Sequence, residues 1–111
     1  MKALILLTAA AAVLVAAEAA GDASKGKALY VKLGCWQCHG REAQGGGYVG
    51  PRLAPDPIAL EAITAYIRHP TGDMPPYTTK ALSDPELRDI YAFLKSVPRP
   101  PAAASIAILK N

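Results

Sequence analysis

The sequence Cys35-Trp36-Gln37-Cys38-His39 contains both cysteines of this 111-residue chain. Four chemistries use two cysteines at this spacing: a redox-active dithiol, a zinc site, a disulfide and the covalent attachment of haem. A redox dithiol requires a βαβ setting, which the sequence does not contain. A zinc site requires four ligands, and only His69 remains outside the motif as a further Cys or His. A disulfide would leave His39 without a role.

Covalent haem attachment gives each chemical group of the motif a function. The thiols of Cys35 and Cys38 can form thioethers with the two vinyl groups on one edge of a porphyrin. His39 then lies beneath the ring, where its Nε2 atom can ligate the iron. The motif therefore predicts one haem c, bound through Cys35 and Cys38, with His39 as an iron ligand.

Met74 is the predicted second axial ligand. Apart from Met1 it is the only methionine of the chain, and it lies in the loop sequence Gly72-Asp73-Met74-Pro75-Pro76. Methionine more often fills a core, but this segment is not amphipathic. A His/Met ligand pair raises the reduction potential of a haem. His69 is the rival ligand and would give a site of lower potential, although a histidine at a helix end also interacts favourably with the helix dipole.

Residues 1–19 have the three parts of a secretory signal peptide. A positive start is followed by an uncharged run from Ala3 to Ala17, and small residues flank Glu18. The run is shorter than the roughly 20 apolar residues that span a membrane. We therefore expect cleavage near residues 17–20, no membrane anchor, and export to the periplasm. In that oxidising compartment, haem attachment would keep the two thiols from forming a disulfide.

The remaining sequence predicts an all-α domain over residues 20–97 and a proline-rich tail over residues 98–111. Apolar spacing, caps and prolines predict three helices, which run from Asp22 to about Leu33, from an Asp56-Pro57 cap to about Arg68, and from a Ser83 cap to about Val97. The last of these begins with a capping box, in which Ser83 and Glu86 bond each other's backbone. Glycines and prolines predict loops over residues 35–55 and 71–81.

These features resemble the class I monohaem cytochromes c, in particular small bacterial periplasmic members. The matching residues stand in family order: Gly26-x-x-x-Tyr30, Cys35 to His39, Gly50-Pro51 with Leu53, Met74-Pro75, Leu82-Ser83-Asp84-x-Glu86 and Asp89 to Leu94. The resemblance implies a cytochrome c fold with three to four helices around one covalently attached haem. It also implies that Gly26 and Tyr30 face Ile90 and Phe93.

The resemblance implies further contacts around the haem. The Pro51 carbonyl is expected to accept a hydrogen bond from Nδ1 of His39, which fixes the ring tautomer and strengthens the bond to iron. Arg52, Arg68 and Tyr77 flank segments near the haem, and arginine pairs well with carboxylates such as the haem propionates. Pro51, Arg52, Arg68 and Tyr77 are therefore candidate haem-pocket residues. The alternative for the two arginines is a solvated surface charge.

The predicted function is that of a single-electron carrier, because iron with two protein ligands cannot easily bind substrate or oxygen. The resemblance implies electron donation by a periplasmic dehydrogenase or respiratory complex and transfer to a terminal oxidase or reductase. One alternative is a dedicated cytochrome subunit of a dehydrogenase complex. Another is a haem sensor or enzyme with an open iron site, if Met74 is not bound. The net charge of +3 includes no basic stripe for nucleic acid, so the expected partners are redox proteins.

Overall fold

Four α-helices follow one another in residues 20–46 and 49–110, the part of the chain that this computed structural model describes. They are α1 (Ala23–Lys32), α2 (Trp36–His39), α3 (Leu60–Arg68) and α4 (Asp84–Ser96). Within this part the strand-type pairing is confined to an isolated bridge between Gly46 and Gly50. The predicted all-α fold class is therefore confirmed. The predicted signal peptide falls on residues 1–19, outside the described residues.

Asp22 fixes the start of α1 and also ties it to α4. Its side chain accepts a hydrogen bond from the Lys25 backbone N–H at 3.0 Å, and this bond lowers the pKa of the Asp22 carboxyl. The Asp22 backbone N–H donates to Oδ1 of Asp89 at 2.7 Å. Because Asp89 belongs to α4, one residue both caps the first helix and attaches it to the last.

Helices α1 and α4 cross at Gly26. A Cβ atom on Gly26 would overlap the carbonyl group of Asp89 and lie 2.8 Å from the backbone nitrogen of Ile90. One turn further along α1, the Tyr30 and Phe93 rings pack with their centroids 5.3 Å apart and their planes tilted by 59°. The expected packing of Gly26 and Tyr30 against α4 is confirmed.

The core of the domain lies around this crossing. Its buried members come from α1, α3, α4 and the loops between them. The largest fully buried side chains are Tyr30, Leu82, Leu87 and Leu94. Partly buried side chains that pack against the core include Cys35, Trp36, Leu53, Ile63, Met74 and Tyr77. The predicted haem-attachment motif and the predicted methionine ligand therefore contact one apolar cluster.

The start of α4 agrees with the sequence to the residue. The Ser83 backbone N–H donates to Oε2 of Glu86 at 2.8 Å, and the Glu86 N–H donates to Oγ of Ser83 at 3.4 Å. These bonds lower the pKa of the Glu86 carboxyl. Since its pKa is depressed in the folded state, the carboxylate stabilises the fold above its unfolded pKa, and this contribution is lost as the pH falls through the folded pKa.

Two predicted boundaries are wrong. Helix α3 begins at Leu60, with Ala59 as its N-cap, rather than directly after Asp56. Asp56 has a φ angle of 57°, in the left-handed region, whereas an N-cap residue is extended. Its carboxylate instead pairs with Arg99 of the tail at 2.7 Å. The predicted loop over residues 35–55 also contains α2, one helical turn formed by the attachment motif itself.

The tail leaves apolar side chains in solvent. After Pro98-Arg99-Pro100-Pro101, two 3-10 turns occupy Ala103–Ser105 and Ala107–Leu109. Ile108 is 87% exposed and Leu109 is 57% exposed. None of the helices in residues 20–46 and 49–110 has the length and apolar character needed to cross a membrane.

Replacing Gly26 with alanine is expected to lower the free energy of unfolding by about 2 kcal/mol net. Forcing an extra methyl group into a packed contact costs up to about 3 kcal/mol, and the cost is at this upper end because the methyl group meets backbone. A gain of about 1 kcal/mol in helix propensity offsets part of it. Guanidinium unfolding of the holoprotein, followed by circular dichroism, measures the effect.

The matched control is Gly72→Ala. Gly72 has a φ angle of 70°, but a Cβ there would meet no atom within 4 Å. The control is expected to cost only the backbone strain of about 1–2 kcal/mol. A Gly26→Ala protein as stable as the wild type would contradict the close crossing.

Candidate functional site

The two cysteines lie on a single helical turn. Cys35 is the N-cap of α2 and has helical angles, φ −54° and ψ −37°. Its carbonyl accepts backbone hydrogen bonds from Cys38 at 3.3 Å and from His39 at 3.0 Å. Residues three apart lie on the same face of a helix. Both thiols are free and partly buried, so one edge of this turn presents two unpaired sulfur atoms.

Glycines with left-handed backbone angles stand on both sides of the turn. Gly34 has a φ angle of 78° and Gly40 has a φ angle of 86°. Such angles are open to glycine and strained for other residues. Gly34 lets the chain leave α1 and enter α2 at once, and Gly40 lets it leave directly after His39. The motif therefore forms a separate helical turn, and the chain changes direction at both of its ends.

Tyr30 supports the far end of this turn. Its hydroxyl donates to the Gly40 carbonyl at 2.7 Å, and its side chain is 1% exposed. Burial raises the pKa of the Tyr30 hydroxyl, so the hydroxyl remains a donor across the physiological range. The sequence indicated Tyr30 as an apolar packing residue, and its role as a support for the residue after His39 follows from the structure alone.

The His39 ring is buried and has a defined orientation. It is 8% exposed, and its Nδ1 atom lies 2.8 Å from the carbonyl oxygen of Pro51. A carbonyl oxygen can only accept, so Nδ1 carries the proton and donates. In a neutral imidazole the other nitrogen, Nε2, then has a free lone pair. The expected bond to Pro51 is present, and it leaves Nε2 able to ligate a metal.

Gly50 allows this bond to form. A Cβ atom at this position would lie 2.9 Å from Nδ1 of His39 and 2.6 Å from the Cys38 carbonyl oxygen. The backbone approaches the imidazole so closely that there is no room for a side chain. Nearby, the Gly45 N–H donates to the His39 carbonyl at 2.8 Å. Gly45 and Gly50 therefore both bring backbone against His39.

The environment of Cys35 disfavours a redox-active dithiol. Burial is the largest influence on this thiol and raises its pKa. Redox-active dithiols need the opposite, because their attacking cysteine is a thiolate with a lowered pKa. The raised pKa of the Cys35 thiol therefore does not favour rapid thiol–disulfide exchange.

Met74 lies in the connection between α3 and α4. Its side chain is half-buried and packs against the core cluster to which Cys35 and Trp36 also pack. The rival ligand His69 is exposed, at the C-cap of α3. The structure therefore places the sulfur-bearing side chain at the core and leaves the imidazole of His69 at the surface.

The three remaining candidates occupy different environments. Arg52 is exposed. The Arg68 guanidinium donates to the Tyr77 carbonyl at 2.7 Å and pairs with Asp84 at 2.6 Å. The Tyr77 hydroxyl donates to the Leu33 carbonyl at 3.0 Å. Contacts from Pro51, Arg52, Arg68 and Tyr77 to a haem stay predictions, and two of these side chains already have protein partners that the sequence did not reveal.

Two free thiols on one turn, followed by a buried histidine with an available Nε2, define a c-type cytochrome domain. Residues 21–94 match the family described as cytochrome c oxidase, cbb3-type, subunit III, and the chain belongs to this family. It is therefore an electron-transfer protein with covalently attached haem c.

The chain is also similar to a curated relative, the cytochrome bc1 complex cytochrome c subunit of Corynebacterium efficiens. The two are 30% identical over 89 residues, which cover 78% of this chain and 30% of the relative. The chain thus spans about 30% of the length of that relative. No solved structure matches the chain.

The residues present fit a haem. The thiols are unpaired, and the hydrogen bond from Nδ1 of His39 to the Pro51 carbonyl leaves Nε2 as the nitrogen that can ligate iron. When bound, the haem supplies an iron that takes up and releases one electron. The chain supplies the attachment points, an oriented ligand and an apolar surrounding.

Replacing Gly50 with alanine is expected to displace either the His39 ring or the Pro51 carbonyl. Loss of this bond makes the imidazole a weaker donor to iron, so the ferric form is less stabilised and the reduction potential rises. Redox titration of the holoprotein measures the change.

The matched control is Gly46→Ala. A Cβ on Gly46 would lie 2.9 Å from the same Cys38 carbonyl oxygen, but His39 is not among its close neighbours. The control is expected to keep the wild-type potential. Equal potentials in Gly50→Ala and the wild type would contradict the role given to the Pro51 carbonyl.

Proposed function

We propose that this protein carries single electrons through one haem c whose iron is ligated by His39 and Met74. Cys35 and Cys38 form the thioether links. The observation that carries the proposal is the bond from Nδ1 of the buried His39 to the Pro51 carbonyl at 2.8 Å, because it prepares Nε2 as a ligand. The half-buried position of Met74 against the core supports the second ligand.

Two ligands from the protein suit electron transfer rather than catalysis. The iron then changes oxidation state without changing its coordination, so little rearrangement accompanies the electron. A thioether ligand favours the ferrous form and raises the potential. His39 is buried and hydrogen-bonded, which keeps its side of the iron inaccessible to substrates.

The electron donor and acceptor are proposed from the complexes that are named for the family and for the curated relative. The family description names a subunit of an oxidase, and the curated relative is named as a subunit of the bc1 complex. We propose that this chain accepts electrons from a periplasmic dehydrogenase or respiratory complex and passes them to a terminal oxidase or reductase. The signal-peptide pattern of residues 1–19 supports a periplasmic location.

A second candidate is a cytochrome subunit that stays within one complex, such as a dehydrogenase complex. The specific observation that favours it is that both related names denote subunits of complexes. The apolar side chains of Ile108 and Leu109, exposed in the tail, would gain from burial against another subunit.

Replacing Met74 with alanine tests the ligand set. The ferric wild-type protein is expected to show a weak far-red sulfur-to-iron band, and Met74→Ala is expected to lose it and to acquire a lower potential, because the soft thioether no longer favours ferrous iron. Absorption spectra of both oxidation states, together with redox titration, measure these changes.

His69→Ala is the matched control, since it removes the rival ligand from the same connection. It is expected to keep both the band and the potential. Loss of the wild-type spectrum in His69→Ala would instead establish a bis-histidine site. A high-spin wild-type spectrum that shifts on addition of a small ligand would establish an open iron and favour a sensor or enzyme.

Gel filtration of a periplasmic extract, followed by haem absorbance and mass spectrometry, separates the free carrier from the subunit. A free carrier is expected to elute alone, with the mass of a chain cleaved near residues 17–20 plus one haem. Elution with a dehydrogenase would support the second candidate. Absence of the protein from the periplasmic extract would contradict the proposed location.

A further inference from the structure

We infer that Tyr77 is a positioning residue that keeps Met74 on the iron by joining its loop to the haem-attachment segment. The Met74 loop is defined here as residues 69–76, between α3 and Tyr77. The inference rests on the proposed ligation by Met74. It assigns to Tyr77 a function other than contact with the haem propionates.

The backbone of Tyr77 closes the Met74 loop onto the end of α3. Its N–H donates to the Ile67 carbonyl at 3.0 Å, and its carbonyl accepts from Nη1 of Arg68 at 2.7 Å. Both main-chain polar groups of Tyr77 therefore bond to the last turn of α3. The loop leaves α3 after Arg68 and returns to the same turn, as in compact loops whose ends lie close together.

Arg68 also fixes this closure to α4. Its side chain is only 14% exposed, and Nη2 pairs with the carboxylate of Asp84 at 2.6 Å. Asp84 is the first residue of α4. Because guanidinium donors form a rigid planar fork, one side chain holds the Tyr77 carbonyl and the start of α4 in a fixed relation.

The Tyr77 hydroxyl then connects the Met74 loop to the segment that precedes the haem-attachment motif. It donates to the Leu33 carbonyl at 3.0 Å, across 44 residues of sequence. Leu33 is the C-cap of α1, where carbonyl groups lack partners within the helix. Gly34 and Cys35 follow directly. Burial raises the pKa of the Tyr77 hydroxyl, so the group remains a donor at neutral pH.

The Met74 loop depends on these bonds because little of it is buried. Pro70 and Met74 are its half-buried residues, and the others are exposed. Because Tyr77 follows Met74 by only three residues, moving Met74 away from the core would also pull on the backbone of Tyr77. The Tyr77–Leu33 hydrogen bond thus favours the attached position of the loop over a detached one.

Imidazole binding to the ferric holoprotein of Tyr77→Phe tests the inference. Imidazole competes with Met74 for iron, so its apparent affinity reports how easily the loop detaches. Loss of one partly buried hydrogen bond is expected to tighten imidazole binding about tenfold, as measured by the disappearance of the far-red band. An unchanged affinity in Tyr77→Phe would overturn the inference.

Tyr30→Phe is the matched control, because it removes the same atom from a similar bond, the one to the Gly40 carbonyl. Guanidinium unfolding is expected to show a loss of global stability in both variants. Tighter imidazole binding is expected in Tyr77→Phe alone. Equal tightening in the two variants would mean that Tyr77 acts only through general stability and would overturn the positioning role.

Arg68→Lys provides a second route if Tyr77→Phe does not assemble with haem. Lysine keeps the charge beside Asp84 but lacks the planar fork, so tighter imidazole binding is again expected, and unchanged binding would overturn the inference. A wild-type ferric spectrum without the far-red band would overturn ligation by Met74 and this inference together. A wild-type band with unchanged variant affinities would overturn the inference alone.

Discussion

One partly buried hydrogen bond, from Nδ1 of His39 to the carbonyl oxygen of Pro51, is the constraint on which the site depends. It sets the tautomer of the imidazole and therefore which nitrogen is free for iron. Gly50 lacks a side chain because the backbone must approach the ring, and Gly40 turns the chain directly after the histidine. Gly50 and Gly40 are thus required by the position of the histidine rather than by flexibility.

The helical framework places the segments of His39 and Met74, the proposed iron ligands, around one core. Helices α1 and α4 meet at Gly26 and through the Tyr30 and Phe93 rings. Helix α1 then supports both segments from its C-terminal half. Tyr30 donates to the residue after His39, and the Leu33 carbonyl accepts from Tyr77 beyond Met74. Through these two tyrosine hydroxyls, the segment that contains His39 and the segment that contains Met74 are both hydrogen-bonded to α1 or its C-cap.

Short sequence motifs predicted those features of the structure that depend on residues close together in the chain. The capping box at Ser83 and Glu86, the attachment motif and the glycine at the helix crossing were all predicted from short motifs or from the family resemblance, and the structure contains them. The predicted start of α3 was wrong because Asp56 has a left-handed φ angle of 57°, which does not suit an N-cap residue. Its carboxylate instead pairs with Arg99, which is distant in sequence. Arg68 and Tyr77 were predicted near the haem, but their partners at Asp84 and Leu33 arise from tertiary folding.

The most direct test of the site is the protonation of His39 in the ferrous holoprotein, measured by NMR of protein labelled with ¹⁵N-histidine at neutral pH. The structure predicts a proton on Nδ1 that exchanges slowly with water, because the group is buried and bonded to the Pro51 carbonyl, and no proton on Nε2. A proton found on Nε2 would contradict the account, since that nitrogen could not then be bound to iron.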